Sequence, residues 1–212
     1  FLNLFGKSLP IKCFLKSGEC DMSKKPKNPI TKIRTGTGDC GKTFYKGEMI
    51  WKNSPEIIFL GDLDLACSAL GKIDFDETLY DGWRVPNNPQ LSYLKYSQKM
   101  LFTIGGLCYT NLETFENNVI ILDEYVKNIS EYMEYVLGNN NFIKLEGFII
   151  PDKINADAMM ARALVRKCEI SALNCISNWS IPALNAMSDY VFAVAWAQSV
   201  GEQWRGFEIN AH

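Results

Sequence analysis

Two hundred and twelve residues, 47% of them hydrophobic, suffice for one domain with a full core. A formal net charge of −2 leaves no basic footprint for nucleic acid or an anionic membrane, and no apolar stretch approaches the ~20 residues of a membrane span. Seven dispersed cysteines without a C-x-x-C pair argue against a disulfide framework or a zinc site, and the single histidine, His212, removes most imidazole catalysis.

The cysteine usage suits a reducing, intracellular compartment, mitochondrial in a eukaryote or cytoplasmic in a bacterium. In that setting the sequons Asn128-Ile129-Ser130 and Asn178-Trp179-Ser180 read as chance matches. The chain opens at Phe1 rather than Met, which reads as a processing boundary with any targeting peptide outside it.

In chain order, residues 1–30 form an N-terminal extension, with Lys24-Lys25-Pro26-Lys27-Asn28-Pro29 as an extended linker. Next comes Gly36-Thr37-Gly38-Asp39-Cys40-Gly41-Lys42-Thr43, which fits the phosphate-loop pattern G-x-x-x-x-G-K-(S/T) letter for letter. Such a loop needs a buried strand before it and a helix directly after it, so that helix-start N–H groups face the phosphates. Upstream, Asn28–Thr35 carries two cations and a proline. Downstream, Gly47 and the β-branched and aromatic residues of 44–51 disfavour a helix. Both flanks fail the test, and a phosphotransferase of this type would also require a parallel sheet.

An irregular segment is expected to about Ser54, followed by five helices. The first spans Pro55 to Lys72, with Ile58, Leu63, Ala66 and Leu70 as core positions. A polar loop holding Trp83 and Pro86 leads to the second, Gln90 to Tyr109. The third spans Leu112 to Leu137 and stops at Gly138. It absorbs Val119-Ile120-Ile121-Leu122-Asp123-Glu124, a Walker B lookalike, because Leu122, Val126, Ile129, Met133 and Val136 continue the helical period. The fourth covers Asn155 to Asn174, and the fifth covers Pro182 to Val200 with proline in its first turn. Phe148-Ile149-Ile150 is the one strand-like run after residue 50. The fold class is therefore all-α. Residues 31–212 make a five-helix antiparallel, up-down bundle of the ferritin-like kind, with an irregular N-terminal nucleotide loop.

Arg162, Arg166 and Glu169 fall at i, i+4 and i+7 on the fourth helix, with Lys167 beside them. Two guanidiniums make a phosphate clamp; an Arg166–Glu169 pair on a solvated face is the alternative. Asn185 and Asp189 lie at i and i+4 on the fifth helix, where an inter-helix hydrogen bond or salt bridge would also use them. Asp64, an acid within an apolar pattern, needs a cationic partner, and Arg162 is the natural candidate.

These residues fall within a recognisable set of motifs. Thr35-Gly36-Thr37-Gly38-Asp39-Cys40-Gly41-Lys42-Thr43 resembles the T-(K/R)-T-G-D-x-G-x-T loop of the trimeric, helical-bundle ATP:cob(I)alamin adenosyltransferases. Lys52 stands at the family's spacing from Asp64, and Gly61–Gly71 is similar to its G-x-x-D-E-L-N-S-A-I-G segment. Phe148-Ile149-Ile150-Pro151, Ala161–Glu169 and Leu184–Phe192 resemble F-I-L-P, A-R-x-x-C-R-R-A-E and L-N-R-L-S-D-Y-L-F. The matches keep the family's order over about residues 31–200. Departures are Gly36 for a basic residue, Leu65 and Cys67 for Glu and Asn, Asp152-Lys153 for a glycine pair, Met159 for His, and Ala186 and Trp196 for Arg.

The resemblance implies transfer of the 5′-deoxyadenosyl group of ATP to cob(I)alamin with release of triphosphate. Thr35, Gly36, Thr37, Gly38, Asp39, Thr43, Phe44, Lys52, Arg166, Lys167, Glu169, Asn185 and Asp189 would hold ATP and its Mg²⁺. Asp64 and Arg162 would pair to shape the site, and Phe148 would close the lower face of the corrin. No metal site of the protein's own is expected. The implied assembly is a homotrimer with sites between subunits, possible delivery of product to a cobalamin-dependent mutase, and no nucleic-acid or membrane partner. The alternative is a weakened or non-enzymatic carrier of ATP or corrinoid on the same fold, for which the departures speak.

Overall fold

The computed structural model describes residues 38–75, 92–109, 112–139, 151–175 and 178–209. They form a hairpin, β1 (Lys42–Tyr45) and β2 (Glu48–Trp51), followed by α1 (Pro55–Leu70), α2 (Tyr93–Leu107), α3 (Leu112–Asn139), α4 (Ala156–Ala172) and α5 (Ile181–Ile209). The expected extension over 1–30, the loop around Trp83 and Pro86, and the run Phe148-Ile149-Ile150 lie outside the described residues. Among the described residues no helix is long and apolar enough to cross a membrane.

Local chemistry sets the helix starts. Ser54 is extended ahead of Pro55, whose missing N–H is harmless in a first turn. Ser92 Oγ accepts from the Lys95 backbone N–H at 3.3 Å and caps α2. Before α4, the Asp152 carboxylate accepts from the N–H groups of Ile154 and Asn155 at 2.8 and 3.1 Å. Asn155 Oδ1 returns a bond by accepting from the Asp152 N–H at 2.9 Å. The Asp152-Lys153 departure thus builds the turn that launches α4. α3 passes through Gly138, the expected stop, and α5 runs on from Val200 to Ile209. The Walker B lookalike lies wholly inside α3.

α1 packs against α2 and α4, α4 against α5, α5 against α3, and α3 against α2, closing a ring of five. Cross-helix contacts fix the directions. Lys72 Nζ meets Asp157 Oδ1 at 2.9 Å, joining the end of α1 to the start of α4. Gln98 Nε2 donates to the Cys67 carbonyl at 2.9 Å near the start of α2. Ser97 Oγ and Tyr125 hydroxyl lie 2.8 Å apart, and Tyr93 stacks on Tyr132 at 4.3 Å, so α2 and α3 oppose. Asn155 Nδ2 donates to Ser199 Oγ at 2.7 Å, so α4 and α5 oppose. Alternation cannot be kept round an odd ring, and among the neighbouring pairs of this ring α3 and α5 run parallel.

The core is built from Phe59, Leu63, Ala66 and Leu70 of α1, Leu101 and Ile104 of α2, Leu122, Tyr125 and Ile129 of α3, Val165 of α4, and Leu184, Met187 and Tyr190 of α5. Leu63, Ala66 and Leu70 sit where the periodicity places them. Ile58 does not: it is 46% exposed, while Phe59 is fully buried. Steps of 4, 3 and 4 from residue 59 hold one helical face, and Ile58 lies about 100° out of phase.

The segment expected to be irregular is an ordered hairpin, pairing Lys42 with Trp51 and Tyr45 with Glu48. Lys46 and Gly47 form its two-residue turn with φ of 48° and 92°, the left-handed backbone a tight hairpin requires. The hairpin is tied to the bundle by Tyr45. Its hydroxyl donates to the Cys108 carbonyl at 2.8 Å, and its ring meets Tyr109 at 4.9 Å between centroids. Burial, then the neighbouring Cys108 and Glu56, push the Tyr45 phenol up to about 12, so it remains a neutral donor.

Two outcomes follow for stability, both measured by chemical denaturation. Phe59→Ala is expected to lose about 3–4 kcal/mol while Ile58→Ala loses under ~1 kcal/mol. Gly47→Ala is expected to lose about 1–2 kcal/mol, since a Cβ there meets no neighbour and the penalty is purely that of the left-handed backbone.

Candidate functional site

Gly38–Gly41 form a tight turn: the Gly41 N–H donates to the Gly38 carbonyl at 3.3 Å, and the Gly41 carbonyl accepts from the Lys52 N–H at 2.9 Å. Gly41 has a φ of 75° and feeds β1, not a helix, so no helix-start amides face this loop. The strand alternation puts Lys42, Phe44, Met49 and Trp51 on one face, and Thr43, Tyr45, Glu48 and Ile50 on the other. Lys42 Nζ lies 4.8 Å from the Trp51 ring centroid, an engagement unlike that of a Walker lysine. Phe44 is exposed. Lys52 folds back over the loop; a Cβ built on Gly38 would stand 2.8 Å from its Nζ, so glycine makes room for that ammonium. Gly38, Asp39, Thr43 and Lys52 are thus gathered in one turn and hairpin. Thr35, Gly36, Thr37 and Phe148 lie outside the described residues.

The second cluster follows the seam between α4 and α5. Arg162 is half-buried, Arg166 exposed and Glu169 half-buried along one edge of α4, as i, i+4, i+7 spacing requires. The expected alternative, an Arg166–Glu169 ion pair, does not form among the described residues. Asn185 and Asp189 are exposed on the adjoining edge of α5. Partial desolvation beside the seam pushes the Asp189 carboxyl up, and Arg162 and Arg166 pull it back, although neither lies within ion-pair distance. The two guanidiniums share this edge with two carboxylates, Glu169 and Asp189, and pair with neither, which leaves their forked donors open to an anion. Trp196, where the family pattern has Arg, is half-buried farther along α5.

Lys167 leaves that edge. Its Nζ meets Asp62 Oδ1 at 2.7 Å on the α1 side, and the bond and charge of Asp62 raise the lysine above its ordinary value. Asp62 is 4% exposed and its Oδ2 has no hydrogen-bond partner. Asp64, not Asp62, was the acid expected to need a cation, and the expected Asp64–Arg162 pair is not made within the chain. Two positions along a helix turn the side chain by about 200°. Asp62 therefore faces α4, whereas Asp64 is exposed beside α2 and lines a groove of about 310 Å³ with Leu60, Leu63, Cys67, Leu101 and Phe102.

Sequence reasoning missed Asp62 as the buried acid and Phe192 as a neighbour of Arg162. Both carried a signal. Asp62 falls between the core positions Phe59, Leu63 and Ala66, and Phe192 lies three residues after Asp189 on the same edge.

The sequence model of one family, described as cobalamin adenosyltransferase, matches residues 33–198. No curated protein matches the chain. Among solved structures, a variant PduO-type ATP:corrinoid adenosyltransferase from Lactobacillus reuteri, complexed with cobalamin and ATP, is similar with a TM-score of 0.54 at 22% identity. The match covers 81% of this chain and 96% of that one. A second variant of that enzyme, also with cobalamin and ATP, gives 0.53 at 21% identity, over 81% and 93% of the two chains. A third, complexed with ATP, gives 0.56 at 22% identity, over 81% and 96%. At such identities the likeness is one of fold. The family model spans both the glycine turn and the α4–α5 seam, and the chain belongs to the cobalamin adenosyltransferase family.

Proposed function

We propose that this chain transfers the 5′-deoxyadenosyl group of ATP to cob(I)alamin and releases triphosphate. The observation that carries the reading is the pair of guanidiniums Arg162 and Arg166 on the α4–α5 seam, which no carboxylate among the described residues engages by direct contact, in a bundle of this family. Two of the similar solved structures are complexed with cobalamin and ATP, and a third with ATP. Cobalt(I) contributes its electron pair to the new Co–C bond, the C5′–O bond breaks, and triphosphate departs with that bond's electrons. No side-chain nucleophile or general base is needed, so the protein's part is positioning and charge stabilisation.

In this reading the Gly38–Gly41 turn, Thr43 and Lys52 hold the phosphates, and Arg166 meets the charge that grows on the leaving group. Glu169 and Asn185 are oxygen donors of the class Mg²⁺ takes, and the ion supplies further neutralisation of the triphosphate. Thr35, Gly36, Thr37 and Phe148 keep the roles the family resemblance implies. Lys167, engaged by Asp62, supports the scaffold.

The site is assembled between copies in a homotrimer, the number three coming from the resemblance. Asp64 looks outward beside α2, and Arg162 lies on the α5 side of α4, so the two halves occupy opposite edges of one layer. Copies set edge to edge bring Asp64 of one to Arg162 of the next, a heterologous contact that closes into a ring. Ile58 and Leu65 of α1, with Met160 and Ile170 of α4, are 46%, 51%, 60% and 64% exposed on the outer face between those edges, apolar surface that an interface would cover.

The test is anaerobic incubation of the protein with ATP and reduced cobalamin, read as the spectrum of the adenosyl product. Arg166→Ala is expected to lower kcat/KM about a hundredfold, the effect of removing one donor aimed at developing charge. Binding of both substrates without product would instead establish the carrier reading. Asp64→Ala and Arg162→Ala should each be inactive alone. Refolded together they should regain activity, because one interface type in a mixed ring keeps both native residues; failure to regain it would place the site within a single chain.

A further inference from the structure

Arg162 is held in place without a carboxylate. Its guanidinium carbon lies 4.9 Å from the centroid of the Phe192 ring, and its Nε is buried with no hydrogen-bond partner. Asp189 feels its charge from beyond ion-pair distance. A ring face attracts a cation through its quadrupole and uses none of the donors in the guanidinium plane. A carboxylate would instead occupy two of those donors in a fork. The Phe192 ring therefore restrains Arg162 and leaves its Nη groups open to an acceptor. Phe192 lies seven residues after Asn185 and three after Asp189, which sets it on the edge of α5 that faces Arg162.

We propose that Phe192 is a positioning residue for adenosyl transfer. It holds the guanidinium of Arg162 so that its in-plane donors meet an anionic oxygen brought to this edge from outside the chain. The functional half of the inference rests on reading the α4–α5 seam as the site; the structural half does not. An aliphatic residue at 192 would keep the half-buried volume but leave Arg162 with neither a stack nor a bond at Nε.

The experiment uses the full chain labelled with ¹⁵N-arginine. The chain has five arginines, so the Nε–H signal of Arg162 is assignable as the one lost in Arg162→Lys. It is expected to be shifted upfield by the ring and to exchange slowly. Phe192→Leu should abolish that shift and lower kcat roughly tenfold with KM for ATP within about twofold, and Phe192→Tyr should restore both. An unshifted Nε–H signal in the native protein would overturn the proposal. So would a Phe192→Leu variant whose signal moves while kcat stays native, or a Tyr variant no better than Leu. If the native protein forms no adenosyl product, the reading of the site fails, and the Nε–H shift across the variants still decides whether Phe192 holds Arg162.

Discussion

The arrangement depends on how closely α4 can approach its neighbours. Its inner face is Ala158, Ala161, Val165, Cys168 and Ala172, all but completely buried and none larger than valine. Steps of 3, 4, 3 and 4 keep these residues in one stripe, and their small size seats the helix deep between α1 and α5. Long side chains can leave such a helix only at its edges or on its outer face, where Met160 and Ile170 lie. Lys167 emerges toward α1, and Arg162, Arg166 and Glu169 emerge toward α5. The small stripe thus sorts the charges of α4 onto two sides of the layer.

The two sides serve different ends. Lys167 meets a buried carboxylate that would be severely disfavoured alone, so the Asp62–Lys167 pair belongs to the scaffold. Among the described residues Arg162 and Arg166 have no such partner, and Asp189 moderates their field without consuming their donors. Neighbouring residues on one helix are separated by helical phase alone into one cation paired with a buried carboxylate and two left without such a pair. The same phase argument moves Asp64 off the α4 side and onto a groove of its own.

Much of this was legible in the residues. Leu122, Ile129 and their partners announce α3 strongly enough to absorb a Walker B lookalike. The i, i+4, i+7 spacing of Arg162, Arg166 and Glu169 foretold a shared edge. The failure of the phosphate-loop flanks foretold that Lys42 would not open a helix. What escaped detection did so for physical reasons. Four-residue strands are too short for period-2 alternation to stand out, so the hairpin around Lys46-Gly47 read as irregular. Ile58 beside Phe59, and Asp64 beside Asp62, are choices of helical phase that one or two residues decide and that only packing resolves. The Phe192–Arg162 contact joins two helices: spacing puts Phe192 on the edge of Asp189, but only packing brings that edge to Arg162.

The odd helix count reaches beyond packing. With α1, α3 and α5 running one way and α2 and α4 the other, three helix N-termini and two C-termini share one end of the bundle. Aligned peptide dipoles place about half a positive charge at each N-terminus and half a negative charge at each C-terminus. Four of the five cancel in pairs, and one N-terminus is left over. That end is where Pro55 follows the hairpin and where Tyr45 fastens the glycine turn to α2. The backbone alone therefore biases that end of the molecule toward anions, before any lysine or arginine is counted.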